Sequence, residues 1–159
     1  MEITARHINE AHERIKPFIH KTPLFTSQTI NKLTGADVIF KCENFQKTGA
    51  FKIRGAMNAV TLLSKEKLQN GIATHSSGNH AQAIAYAARQ AGARAYIVMP
   101  DNSSKVKVDA VKGYGAEMTF CEPTQQAREE TLQQIADKPG AELIHPYNDH
   151  RVITGQATC

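Results

Sequence analysis

Asn44-Phe45-Gln46-Lys47-Thr48-Gly49-Ala50-Phe51-Lys52-Ile53-Arg54-Gly55-Ala56 is the stretch from which the rest of the chain can be read. From Lys52 onward, apolar residues fall at Ile53, Ala56, Met57, Val60 and Leu63, the three-and-four spacing of a helix with one buried face. Lys52 adjoins that face within a turn of the helix start. An amine held there loses solvation and feels the partial positive charge of the helix N-terminus, and both effects favour its neutral form. A neutral amine can attack an aldehyde and form a Schiff base. A lone lysine is ordinarily a solvated surface residue. Lys52 is set apart by the segments around it.

Downstream, Thr74-His75-Ser76-Ser77-Gly78-Asn79-His80-Ala81-Gln82 joins an expected strand, Ile72 to His75, to an expected helix, Asn79 to Ala91. The first N–H groups of a helix have no partner within it. With two hydroxyls and a glycine alongside, such a terminus is a ready anion site that an amino-acid carboxylate fits. On these residues alone Ser76, Ser77 or Asn79 would serve equally well as a helix cap. A third stretch, Ile144-His145-Pro146-Tyr147-Asn148-Asp149, precedes Gly155-Gln156.

Between these segments the pattern alternates. Strands are expected at Ile72 to His75, Ala95 to Met99, Glu117 to Cys121 and Glu142 to His145. Helices are expected at Asn79 to Ala91, Ser104 to Lys112 and Gln125 to Asp137, punctuated by Gly92, Pro100 and Gly113. Strands alternating with helices of this length predict an α/β fold, an open parallel sheet flanked by helices. Its loops at the strand C-terminal ends gather along one edge. Before Gly71 the rhythm is less regular. A helix over Thr4 to Lys16 stops at Pro17, and Lys21 to Leu24 is an extended connector. Ser27 caps a short helix closed by Gly35, and Asp37 to Glu43 alternates as a strand. Lys41 and Glu43 fall on its polar side, either solvated or beside Lys52, and Cys42 reads as a small core residue.

The three motifs together resemble the pyridoxal-phosphate enzymes of the threonine dehydratase and serine racemase family (fold type II), with the resemblance running from about Ile15 to Thr158. It implies pyridoxal 5'-phosphate as cofactor, joined as a Schiff base to Lys52, with Phe51 stacked on the pyridine ring. It implies that Ser76, Ser77, Asn79 and His80 hold the substrate carboxylate, that Asn79 also meets the cofactor's ring hydroxyl, and that His75 and Gln82 act as support. Lys52 and Ser77 are the catalytic residues on this reading. Lys52 takes the α-proton, and Ser77 stands where serine racemase has the acid of the opposite face. The implied reaction is dehydration of L-serine or L-threonine to a 2-oxo acid and ammonia, with racemisation as the alternative. A second reading is a non-catalytic remnant or small-ligand module without cofactor. The resemblance also implies a homodimer and a layout in three parts. Residues 1–57 begin a large domain, residues 58–146 form a small α/β domain, and residues 147–159 return to the large one. The small domain is complete and the large one incomplete.

Bulk properties agree with a small-molecule enzyme. The chain has 159 residues, 41% hydrophobic and 21% charged, with net charge +4, long enough for one soluble globular domain with a real core. Its basic residues are scattered, and six Phe and four Tyr make no basic-aromatic platform, so a nucleic-acid surface is not expected. No apolar run approaches a membrane span and no leader is evident, so a cytoplasmic location is expected. Cys42, Cys121 and Cys159 lie far apart, and no metal site is expected. None of the ten glycines adjoins another, so the glycine-rich phosphate cradle of the family is missing. The chain is therefore expected to be the front part of such an enzyme.

Overall fold

A computed structural model describes residues 2–137 and 140–159. Helix α1 (Ala5–Ile15) buries Ala11 and Ile15 and gives way at Pro17 to a short 3-10 turn, since proline cannot donate to a continuing helix. Strand β1 (Leu24–Thr26), helix α2 (Gln28–Thr34) and strand β2 (Ile39–Lys41) follow. Ser27 caps α2 by accepting from the Ile30 amide, and Gly35 closes it at φ 69°, a left-handed conformation suited to glycine. β1 and β2 pair antiparallel, Phe25 opposite Phe40. The extended connector thus leads into a paired strand. The strand expected over residues 37–43 is shorter, because the chain after Cys42 tightens into 3-10 turns at Glu43–Phe45 and Lys47–Gly49. Cys42 is half-buried rather than core, and Leu24, Phe25, Ile39 and Phe40 on this ribbon are exposed.

Helix α3 (Lys52–Thr61) starts at the decisive lysine. Helix α4 (Lys65–Asn70), capped by Ser64 and closed at Gly71, has no counterpart in the periodicity. Then come β3 (Ile72–His75), α5 (Asn79–Gln90), β4 (Ala95–Pro100), α6 (Lys105–Gly113), β5 (Glu117–Cys121), α7 (Gln125–Asp137), β6 (Glu142–Leu143) and α8 (His150–Gln156). β6 is two residues shorter than expected, although the Ile144 amide still donates to the Ala73 carbonyl at 3.0 Å.

The four strands form one sheet in the order β5-β4-β3-β6, every pair parallel. Alternate residues divide between its faces. Ile72, Ile97 and Met99 point into a core shared with α3 and α5, whereas Ala73, Tyr96 and Val98 meet Leu132 and Ala136 of α7. All residues of β3 and β4 are buried, as a parallel sheet covered on both faces requires. The fold is the α/β class expected, and the loops after β3 and β6 emerge on one edge.

α3 departs from the one-faced helix that its periodicity suggests: residues 53–60 are all buried. Small side chains on its second face admit α8. A Cβ on Gly155 would stand 2.6 Å from the Arg54 carbonyl oxygen and 2.7 Å from the Gly55 Cα, so the two helices cross at a glycine contact. Gln156 Oε1 accepts from the Gly55 amide at 3.2 Å. Glu43, expected in solvent or beside Lys52, is instead buried against Arg54. Arg54 Nε donates to its Oε2 at 2.7 Å and Nη2 to its Oε1 at 2.8 Å, while Thr22 Oγ1 donates to Oε1 at 2.6 Å. Burial alone would raise the Glu43 carboxyl, but the bonds from Arg54 and Thr22 outweigh it and lower its pKa. Among the described residues no helix is long and apolar enough to cross a membrane.

Candidate active site

Lys52, the first residue of α3, reaches the sheet edge where β6 ends. Its Nζ donates to the Pro146 carbonyl at 3.3 Å and stands 5.3 Å from the centroid of the Phe51 ring. Burial lowers its pKa below the ordinary lysine value, because desolvation penalises the ammonium form. No carboxylate forms an ion pair with it among the described residues.

Across a cleft of about 300 Å³ lies the loop from His75 to His80. The simple capping alternative for its serines does not hold. The N-cap of α5 is Gly78, with no side-chain cap, and Ser76 Oγ accepts from the Gly78 amide at 3.2 Å, inside the loop. The amides of the first turn of α5 are therefore left without helical partners and without a capping side chain. Ser77 and Asn79 are exposed, and Ser76 is half-buried. Lys52, Ser76, Ser77, Asn79 and His80 all line this one cleft, with Pro146 and Tyr147 beside them. Phe51 is 41% exposed and lies outside the lining.

His80 is 2% exposed. Burial first, then the charge of Lys52, pushes its pKa down to about 3, against a weak opposing pull from the Ile144 carbonyl. Neither ring nitrogen has a hydrogen-bond partner of good geometry. Its imidazole is thus neutral at ordinary pH, and what it offers an anion at the loop is its backbone amide. His75, equally buried, sits behind the loop with its ring edge-on to His145 at 5.5 Å. Burial and the charges of His145 and Arg128 lower its pKa. His75, Glu129 and His145 could bring three ligand atoms within 4.8 Å of one another.

Lys107 from α6 and Gln125 and Arg128 from α7 complete the cleft. No motif in the sequence marks them, because they come from the outer faces of two helices and meet the loop only through the crossovers.

An amine with a depressed pKa thus faces uncapped amides at the C-terminal edge of a parallel sheet. A family model described as "Pyridoxal-phosphate dependent enzyme" matches residues 15–159, and the chain belongs to that family. It is 48% identical over 156 residues to a serine racemase from Dictyostelium discoideum, covering 98% of this chain and 48% of the relative. It is 52% identical over 149 residues to a β-hydroxyaspartate dehydratase from Paracoccus denitrificans, covering 94% and 47%. The crystal structure of the Dictyostelium racemase superposes with a TM-score of 0.91 over 98% of this chain and 51% of that one. A crystal structure of threonine deaminase from T.th. gives 0.89 at 39% identity, covering 98% and 49%. The chain thus spans about half the length of the relatives it matches. The residues present fit the carbonyl end of the family's cofactor: a desolvated amine beside open volume, with partnerless buried imidazole nitrogens close by.

Proposed function

We propose that this chain is the lysine-bearing half of a pyridoxal-phosphate enzyme that eliminates water from a β-hydroxy amino acid, giving a 2-oxo acid and ammonia. The observation that carries this reading is the uncapped N-terminus of α5 facing the desolvated amine of Lys52 across one cleft. The names of the relatives, a dehydratase, a threonine deaminase and a serine racemase, support the same chemistry. Residues 1–57 and 147–159 would belong to one body and residues 58–146 to the other. The packing of α8 on α3 supports their return to a common place.

Each residue has a stated task on this reading. Lys52 would hold the cofactor through its Nζ, with Phe51 and Asn79 against the ring. The cofactor, when bound, supplies an electron sink for charge at the substrate Cα. The amides of Asn79 and His80 with the hydroxyls of Ser76 and Ser77 bind the α-carboxylate and fix which Cα bond is presented to the amine. Lys52 Nζ, whose ammonium form burial disfavours, would take the α-proton. The β-hydroxyl leaves with a proton as water, and hydrolysis of the released enamine yields oxo acid and ammonia. Ser77 supports racemisation as a second reading: its hydroxyl is exposed in the cleft and could return a proton to the opposite face.

Mixing the chain with pyridoxal phosphate should produce a visible absorption band that Lys52→Ala removes. Addition of L-serine or L-threonine, with a polypeptide carrying the second half of such an enzyme supplied in trans, should then release 2-oxo acid. D-serine in its place would favour the racemase reading. A band unchanged in Lys52→Ala would sink the assignment of that lysine. No band at saturating cofactor, even with the second half present, would leave the non-catalytic reading.

A further inference from the structure

Two histidines and a glutamate from three separate elements converge beside the cleft. His75 ends β3, Glu129 lies on α7, and His145 follows β6. One ligand atom from each lies within 4.8 Å of the others. The backbone holds the two histidines in register. Ala73 pairs with Leu143 across β3 and β6, and Thr74 Oγ1 donates to the Ile144 carbonyl at 2.6 Å, so the residues just before both histidines are tied together. His75 is 2% exposed, its ring stands edge-on to that of His145 at 5.5 Å, and its Nε2 has no hydrogen-bond partner. A buried polar nitrogen left without a partner costs free energy unless something binds it. His145 Nδ1 accepts from the amides of Tyr147 and Asn148 at 3.3 and 2.9 Å, which leaves Nε2 as its available nitrogen. Glu129 is exposed, and the Gln125 side-chain amide engages its Oε1, leaving Oε2 to a ligand. Arg128 acts on His75 as an opposing charge and Glu129 as a favourable one.

We infer that His75, His145 and Glu129 form a site for a divalent transition-metal ion of the zinc class, distinct from the amine and the anion-binding amides. Two imidazoles and one carboxylate suit zinc, with a fourth position left for water. The hard ions magnesium and calcium prefer all-oxygen sets. Ligand atoms around a tetrahedral zinc stand about 3.3 Å apart, given bonds of about 2.1 Å. Closing from at most 4.8 Å falls mainly to Glu129, whose exposed side chain can turn inward. A metal-bound Nε2 carries no proton. Loading therefore moves the ring proton of His145 to Nδ1, and the amides of Tyr147 and Asn148, both exposed residues, turn to water. The ion would clip α7 and the strap after β6 to the end of β3. It would thereby brace the loop that starts at Ser76 and the Pro146 carbonyl that receives Lys52 Nζ. No short spacing joins the three residues, so nothing in the sequence marks them as a set.

Zinc added to the metal-free chain in competition with a chromophoric chelator measures the site directly. A single equivalent should bind, and cobalt in its place should give the visible bands of a tetrahedral ion. In NMR of the nitrogen-15-labelled chain, the ring nitrogens of His75 and His145 and the amides of Tyr147 and Asn148 should shift. His145→Gln and Glu129→Gln should each weaken zinc binding by ~10-fold or more, whereas His150→Gln, at an exposed position nearby, should not. Glu129→Gln changes one exposed side chain and leaves the fold intact, as unchanged amide spectra elsewhere would verify. Zinc should also raise the thermal midpoint of the unaltered chain, and raise that of Glu129→Gln less. Equal zinc affinity in the unaltered chain and both ligand variants would overturn the site, as would shifts confined to the other histidines. No binding at millimolar zinc would sink it outright. Displacement of zinc by an equal concentration of magnesium or calcium would overturn the assignment to the zinc class.

Discussion

Gly55 and Gly155, one hundred positions apart, meet where α3 crosses α8, the Gly55 Cα standing 2.7 Å from the place a Gly155 side chain would begin. The helix that carries Lys52 is positioned by this crossing. Gly155→Ala should therefore force the two backbones apart and destabilise the chain by about 3 kcal/mol, as overpacking does. Gly113→Ala, which meets nothing within 4 Å, should leave stability unchanged or slightly raised. Urea denaturation of the two variants compares them directly, and equal midpoints would refute the crossing as a tight contact.

Glu43→Ala strands the Arg54 guanidinium, whose side chain is 3% exposed. Removing one partner of a buried ion pair costs about 3–5 kcal/mol. The exposed pair Arg6–Glu10 on α1 is the comparison, and Glu10→Ala should produce no measurable change. Thermal or urea unfolding reads both. A Glu43 variant as stable as Glu10→Ala would show that the bidentate pair contributes nothing net.

The depressed pKa of His80 sets a pH window. Its folded value lies near 3 and its unfolded value at about 6.5, so below pH 6.5 the unfolded chain binds the extra proton. Stability should fall by several kcal/mol, on the order of 4, as pH drops from about 6.5 toward 3. The lowered Glu43 carboxyl adds a separate loss that begins only below its unfolded value, about 4.3. A His80→Asn variant should lose most of the first phase, keeping the part that the also-lowered His75 contributes, and should retain the second. In NMR titrations the His80 ring should show no protonation above pH 5, and a His80 midpoint near 6.5 would contradict its burial.

Lys52 should deprotonate before the surface lysines. With lysines reductively methylated using carbon-13 formaldehyde, one resonance should titrate below the ordinary lysine range and vanish in Lys52→Arg. The direction follows from desolvation of the ammonium. A Lys52 signal coincident with the exposed lysines would remove the basis for its reactivity.

The sheet and its helices were legible in the sequence from β3 onward, because apolar runs bounded by Gly71, Gly92, Pro100 and Gly113 impose periods of two and 3.6 in alternation. Lys52 and the loop after β3 were each singled out from one local segment, and the structure brings the two to one cleft. What escaped depends on distant partners. β1 and β2 are three residues each and exposed, so no burial alternation marks them. α4 holds one large apolar residue, Leu68, although Ser64 and Gly71 supplied cap signals at its ends. Glu43 lies on the polar side of an alternating run, and only the approach of Arg54 from α3 makes it a buried charge. The all-round burial of α3 follows from α8, which no pattern within residues 52–63 announces. Lys107 and Arg128 read as solvated helix charges until the crossovers bring them to the same loop.

The bond from Lys52 Nζ to the Pro146 carbonyl makes the peptide after β6 a reporter. A carbonyl compound that captures the amine leaves it at most one N–H and redirects it, so the strap between Ile144 and Asp149 should lose or re-form this bond. Occupancy at one residue is thereby announced 94 positions along the chain, to the same strap whose far end caps α8 through Asp149. Slowed or hastened amide exchange from Tyr147 to Arg151 would be the audible end of that wire.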